Sequence, residues 1–231
     1  MKMKKLFLFT VAMMASLNMN AQIEEGNWYV TPKLGVGIAD MTGNLFDITK
    51  EKGGDYNSTL HPLTVFTAGL EWEYAFTDQV GIAFGAWYAR QGSKTDDKLF
   101  QVTVDYFKVP VMLEVYPIAN VGLALKAGMQ IDFAARKRLK IDGVEYNADY
   151  DIVGFRNRWG RVIPVAYENE LSRQFNKVDV SIPLAVSYEF YNFVLEARYN
   201  LGLINVQKDD PENSKHRLWQ FTLGYKIPLG D

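Results

Sequence analysis

The residues whose types could do covalent chemistry are few. The chain of 231 residues has no cysteine, which excludes disulfides, cysteine-held zinc, thiol nucleophiles and lipid anchors on sulfur. Two histidines, His61 and His216, are too few for a multi-histidine metal site. Each lies just ahead of a patterned segment, and Asp209, Asp210 and Ser214 share a polar stretch with His216. A histidine–carboxylate or serine–histidine pair there would supply a general base or an activated hydroxyl. A rim-located lipid-modifying hydrolase or acyltransferase would need such a pair. No nucleophile motif accompanies these residues. The expectation is therefore two solvated loop histidines, with no catalytic residue, no metal ligand and no cofactor.

A second set of residues stands out by phase. Lys33, Glu71, Glu73, Lys108, Glu114, Lys126, Asp132, Asp179, Glu189, Glu196, Arg198 and Lys226 all occupy the polar phase of alternating segments. If that phase faces a narrow interior, these charges must pair or stay hydrated, because unpaired buried charge is costly. The expected result is a structural salt-bridge network. A gated proton or ion path is the sharper alternative, and a lumen filled by side chains argues against it.

The elements that must position these charges are strands. Period-two patterning runs through residues 28–39, 64–76, 80–90, 107–116, 121–133, 178–189, 193–203 and 219–227. In the first, Trp28, Val30, Leu34, Val36 and Ile38 oppose Thr31, Lys33, Gly35, Gly37 and Ala39. Eight segments of roughly ten residues match tilted membrane strands, whereas strands of soluble proteins usually run about five or six. Short turns surround Thr77-Asp78-Gln79, Pro117-Ile118-Ala119-Asn120 and Tyr191-Asn192. Long polar connections span about 40–62, 93–99, 136–176 and 207–216. Short turns at one end and long loops at the other is the pattern of outer-membrane barrels.

Side-chain size says which phase faces out. The apolar phase carries bulky residues and the polar phase many small ones, so the apolar phase suits lipid. Aromatics gather at the turn end (Trp28, Tyr29, Trp72, Tyr74, Phe76, Tyr188, Phe190, Tyr191, Phe193) and the loop end (Tyr88, Phe100, Phe133, Trp219), as interfacial girdles require. A lipocalin-like soluble barrel is the alternative, and it requires no girdles. Pro110 and Pro183 lack amide hydrogens inside strands and point to bulges, as does a phase shift near Asp105-Tyr106-Phe107. Ile141-Asp142-Gly143-Val144 reads as a hairpin turn that carries strands above the membrane.

Residues 1–21 have the order of a secretory signal: three lysines by Lys5, the apolar run Leu6–Ala15, and a small residue at Ala21. Residues 22–231 then form one domain, an all-β, eight-stranded antiparallel up-and-down transmembrane barrel. Net charge of −2 gives no basic field for nucleic acid. The basic run Arg136-Lys137-Arg138-Leu139-Lys140 and Trp159-Gly160-Arg161 could touch lipopolysaccharide phosphates. Asp142, Glu145, Asp149 and Asp151 balance that run, so a solvated loop is the expected state.

The opening strand Lys33-Leu34-Gly35-Val36-Gly37, the segment Tyr106–Leu113 followed by Tyr116-Pro117, and the closing strand Phe221–Leu229 together resemble the PorT-like outer-membrane β-barrel family of Gram-negative bacteria. The resemblance implies an integral outer-membrane protein, some relatives being secretion-system components. It supplies no catalytic residues. The closing strand also resembles the signal read by the outer-membrane assembly machinery. The expected partners are outer-membrane lipids, that machinery during insertion, and a protein met through the 136–176 loop. The expected role is structural or interactive: membrane integrity, or a subunit of a surface or secretion complex.

Overall fold

The computed structural model describes residues 23–41, 60–95, 100–118, 121–141, 144–147, 151–156, 162–167, 178–204 and 215–229. The proposed signal segment, Asp209, Asp210, Ser214 and Trp159-Gly160-Arg161 lie outside the described residues.

Eight long strands form the wall: β1 Trp28–Met41, β2 Leu60–Thr77, β3 Val80–Thr95, β4 Phe100–Val115, β5 Leu123–Ile141, then β9 Val178–Phe190, β10 Phe193–Gly202 and β11 His216–Tyr225. Between β5 and β9 lie three short strands, β6 Val144–Asn147, β7 Asp151–Arg156 and β8 Val162–Tyr167; β12 Ile227–Pro228 continues β11 past Lys226. Each long strand pairs antiparallel with its neighbour. β1 also pairs with β11, from Lys33 opposite Gly224 to Met41 opposite His216, and this closes the barrel. Closure leaves no exposed sheet edge in the wall, so no row of unpaired ladder groups faces the region that water cannot reach.

The alternation follows the expected phase. Leu34, Phe66, Phe107, Leu113, Met129, Leu195 and Phe221 face outward, and Met129 is 62% exposed. In water such a surface would be unfavourable by about 25 cal/mol per Å² of apolar area. In hydrocarbon it is the correct surface. Outward aromatics pair at both ends. Trp28 lies 4.9 Å from Tyr74, and Phe193 lies 5.3 Å from Tyr225, at the turn end. Tyr88 with Phe107 and Tyr199 with Trp219 mark the loop end. Tyr29 departs from the expected girdle. It faces the lumen at 6% exposure, and its hydroxyl accepts from the Glu24 amide.

The strands run beyond the segments that alternation alone delimits. β1 reaches Met41, β2 starts at Leu60, β3 reaches Thr95 and β5 reaches Ile141. Ile141 pairs with Val144, so β6 runs antiparallel to the end of β5; Asp142 and Gly143 of the expected turn lie outside the described residues. A register shift falls at Asp105/Tyr106, as the phase shift indicated. The prolines behave differently from expectation. Pro110 pairs with Gln130, and Pro183 with Asn200, without any register shift. Each missing amide costs a ladder bond on one side without inserting a residue. The remaining shifts lie in β2 against β3, between Pro62 and Thr67 and between Ala75 and Thr77.

Candidate functional site: a charged lumen

The inward phase of the wall brings twelve charged side chains into one narrow space. Lys33, Glu71, Glu73, Lys108, Glu114, Lys126, Asp132, Asp179, Glu189, Glu196, Arg198 and Lys226 are each 6% exposed or less. Nine of them interlock. Lys33 Nζ donates to Glu71 at 2.5 Å and to Glu196 at 2.6 Å. Arg198 reaches the same two carboxylates, at 2.5 Å and 2.6 Å. Lys126 lies 3.0 Å from Glu71, 3.0 Å from Glu73 and 2.8 Å from Glu114. Lys226 extends the chain to Glu73 at 2.6 Å and to Glu189. These contacts join β1, β2, β4, β5, β9, β10 and the β11–β12 junction across the lumen. Each of the four cations in this network thus meets at least two carboxylates, which is the condition under which buried charge is tolerated.

Aromatic groups complete the packing. The Arg198 guanidinium carbon lies 4.4 Å from the Trp87 ring centre, and Lys33 Nζ lies 5.9 Å from it. Trp87 fits because it rests on Gly69, where a Cβ would lie 2.3 Å from ring carbon Cδ2. Nearer the short turns, the Tyr116 hydroxyl lies 3.0 Å from Glu114 and 2.6 Å from Glu189, and accepts from Lys226 at 3.0 Å. Below it Ile23, Tyr29, Ala75, Tyr116 and Ala124 form an apolar cap at the turn end. The backbone at Gly122 approaches Glu189 closely with φ of 71°, a conformation that suits glycine. Glu73, Glu114 and Glu189 have carboxylate oxygens within 4.8 Å of one another. Each of the three carboxylates contacts Lys126 or Lys226, so lysine ammonium groups sit against that cluster.

Toward the long loops the charges thin out. Lys108 pairs with Asp132 at 2.8 Å, and Gln130 and Ser181 also donate to Asp132. Asp179 does not join the nine-membered network; its Oδ1 accepts from the Val180 amide. A neutral layer links Asn200 to Gln220 at 2.6 Å and Gln220 to Thr67 at 2.7 Å. Ala39, Val65, Ala89 and Leu218 form a second apolar cluster.

The histidines correct the sequence reading. His216 is not a solvated loop residue. It opens β11, is buried, and its Nε2 lies 3.1 Å from the Tyr106 hydroxyl. His61 lies within β2, opposite Lys94, and not ahead of the strand. Neither histidine is therefore a loop residue. Tyr106 and Tyr116 were legible as inward residues at best; their hydrogen-bonding roles depend on partners 110 and 73 residues away. No spacing rule would have found them.

A closed antiparallel barrel with lipid-suited bulk outside, aromatic girdles and a polar filled lumen is a transmembrane β-barrel. Residues 20–208 match the family described as the outer membrane protein beta-barrel domain, and the chain belongs to that family. Its place is the outer membrane. Among solved structures, Neisserial surface protein A aligns with TM-score 0.47 and 13% identity, over 88% of this chain and 99% of that one. Ail, the attachment invasion locus protein of Yersinia pestis, solved with the heparin analogue sucrose octasulfate, aligns with TM-score 0.45 and 12% identity, over 88% and 99%. Outer membrane protein W of E. coli aligns with TM-score 0.40 and 13% identity, again over 88% and 99%. No curated protein sequence matches the chain.

Proposed function

We propose that this protein is a non-enzymatic outer-membrane anchor with a structural or interactive role. It sustains membrane integrity or serves as a subunit of a surface or secretion complex, in keeping with the PorT-like resemblance. Residues 1–21 direct export, and the closing strand is read by the assembly machinery. The observation that carries this reading is the cross-lumen network built on Lys33, Glu71, Lys126, Glu196 and Arg198 beneath Trp87. A lumen packed with paired charges supports a scaffold over a narrow channel. His216 turned against Tyr106 favours the scaffold over a rim hydrolase or acyltransferase.

The partner-binding part is the 136–176 region. β6 pairs with β5 alone among the described residues, which leaves one edge open to strand addition. β7 and β8 pair only with each other among the described residues, and an isolated two-stranded hairpin is marginal in water. A partner lying against them would supply the missing support. Photocrosslinking residues placed at Glu145 and Val153 in living cells test this. The expected result is repeated capture of one envelope protein. Capture of lipid alone from both positions overturns the partner reading.

A further inference from the structure

A cluster of charge sits on the outside of the barrel, where the described wall is otherwise mostly apolar. Tyr88 on β3 and Phe107 on β4 face lipid at the loop-end girdle, with ring centres 6.3 Å apart. The next pair, Ala89 and Tyr106, faces the lumen and is buried. The pair after that, Arg90 and Asp105, returns to the outer face. It lies about 7 Å further along the strands, at the rise of an extended chain. This is the headgroup level of the outer leaflet, since the long connections leave from this end.

Asp105 organises the cluster. Arg90 Nε donates to its Oδ1 at 2.7 Å, and Arg138 Nη2 donates to its Oδ2 at 3.2 Å. Arg136 stands directly opposite Asp105 on β5 and is exposed. Three guanidinium groups thus gather around the Asp105 carboxylate. Further along, Lys140 stands opposite Glu145, so that position adds no net charge.

We propose that Arg90 and Arg138, held by Asp105, together with Arg136 bind the phosphate of a phosphorylated glycolipid of the outer leaflet, of the lipid A kind. A phosphate monoester carries about −1.5 to −2 charge and three acceptor oxygens. Guanidinium forks match that geometry in pairs, and a lysine ammonium does not. Asp105 fixes two of the forks before the lipid arrives, and Tyr88 and Phe107 lie where its acyl chains begin.

The test uses the full-length folded barrel in neutral detergent, with native mass spectrometry as the readout. It is titrated with bisphosphorylated lipid A, with dephosphorylated lipid A and with phosphatidylglycerol. Bisphosphorylated lipid A should bind about tenfold more tightly than either alternative. Arg136→Gln and Arg138→Gln should each weaken it about fivefold, with Arg136→Lys intermediate. Arg217→Gln serves as the control: it is exposed on β11, across the barrel from β4. It should bind as the parent does. Folding of each variant is checked by its unboiled gel mobility, and Arg136→Lys stands in for any variant that fails. Equal binding of dephosphorylated lipid A or phosphatidylglycerol overturns the proposal. So does an Arg217→Gln loss as large as that of Arg136→Gln.

Discussion

The Arg198 guanidinium lies 4.4 Å from the Trp87 ring centre while holding Glu71 at 2.5 Å and Glu196 at 2.6 Å. This one side chain therefore ties β10 to β2 and β3 across the lumen, in the layer where Lys33 and Lys126 also meet. A transported ion would have to displace this paired layer. The parent barrel is expected to show no steady single-channel conductance in planar bilayers. Trp87→Ala combined with Arg198→Ala removes the two largest side chains of the layer, and stepwise conductance should then appear. A parent barrel that conducts steadily would return the channel reading to first place.

Lys126 is the network's most heavily shared cation, with Glu71, Glu73 and Glu114 all within 3.0 Å. Lys126→Met strands buried carboxylates without their counter-charge. The expected loss is about 3–5 kcal/mol of stability, the range for breaking a buried ion pair from one side. Urea unfolding in lipid vesicles measures it. Adding Glu114→Gln removes one of the stranded charges and should recover part of the loss. A double variant that is additive would mean that the two groups do not interact, contrary to their 2.8 Å separation.

Much of this layer could be read from the sequence because a β-strand has a period of two. Once Glu71 was assigned to the inner face, Glu73 followed, and the same logic gave Lys108 and Glu114 on β4. At other positions phase or depth is ambiguous in the sequence. Tyr29 has the residue type of a girdle but the phase of the lumen, and phase decides where it points. His216 lies in the polar stretch ahead of the apolar alternation, yet it pairs with Met41 and begins β11. Arg136 and Arg138 read as loop because polar residues on both faces hide a strand that continues beyond lipid. Pro110 and Pro183 suggested bulges, but losing one ladder bond does not oblige the partner strand to shift register.

Gly69 makes a different demand, for space. Gly69→Ala places a methyl 2.3 Å from Trp87 Cδ2, closer than any real contact allows. Either the ring or the β2 backbone must move, so overpacking of about 1–3 kcal/mol is expected. Trp87→Phe in the same chain leaves a smaller ring and should recover most of that loss. Urea unfolding of the two variants checks this. If Gly69→Ala alone leaves stability unchanged, the ring does not rest where it has been described.

The outward face offers the most direct check on which solvent the barrel was built for. Met129 lies mid-strand on β5 and is 62% exposed, while Val178 lies at the loop end of β9, opposite Phe133. In water a surface arginine at either site would change stability by a few tenths of a kcal/mol at most. In a bilayer depth decides the cost. Met129→Arg should cost about 2–4 kcal/mol, and Val178→Arg near the interface about 0–1 kcal/mol. Reversible urea unfolding in phospholipid vesicles resolves a difference of that size. Equal costs at the two sites would mean that hydrocarbon does not surround β5 and β9, and the assignment of the apolar phase to lipid would fail with it.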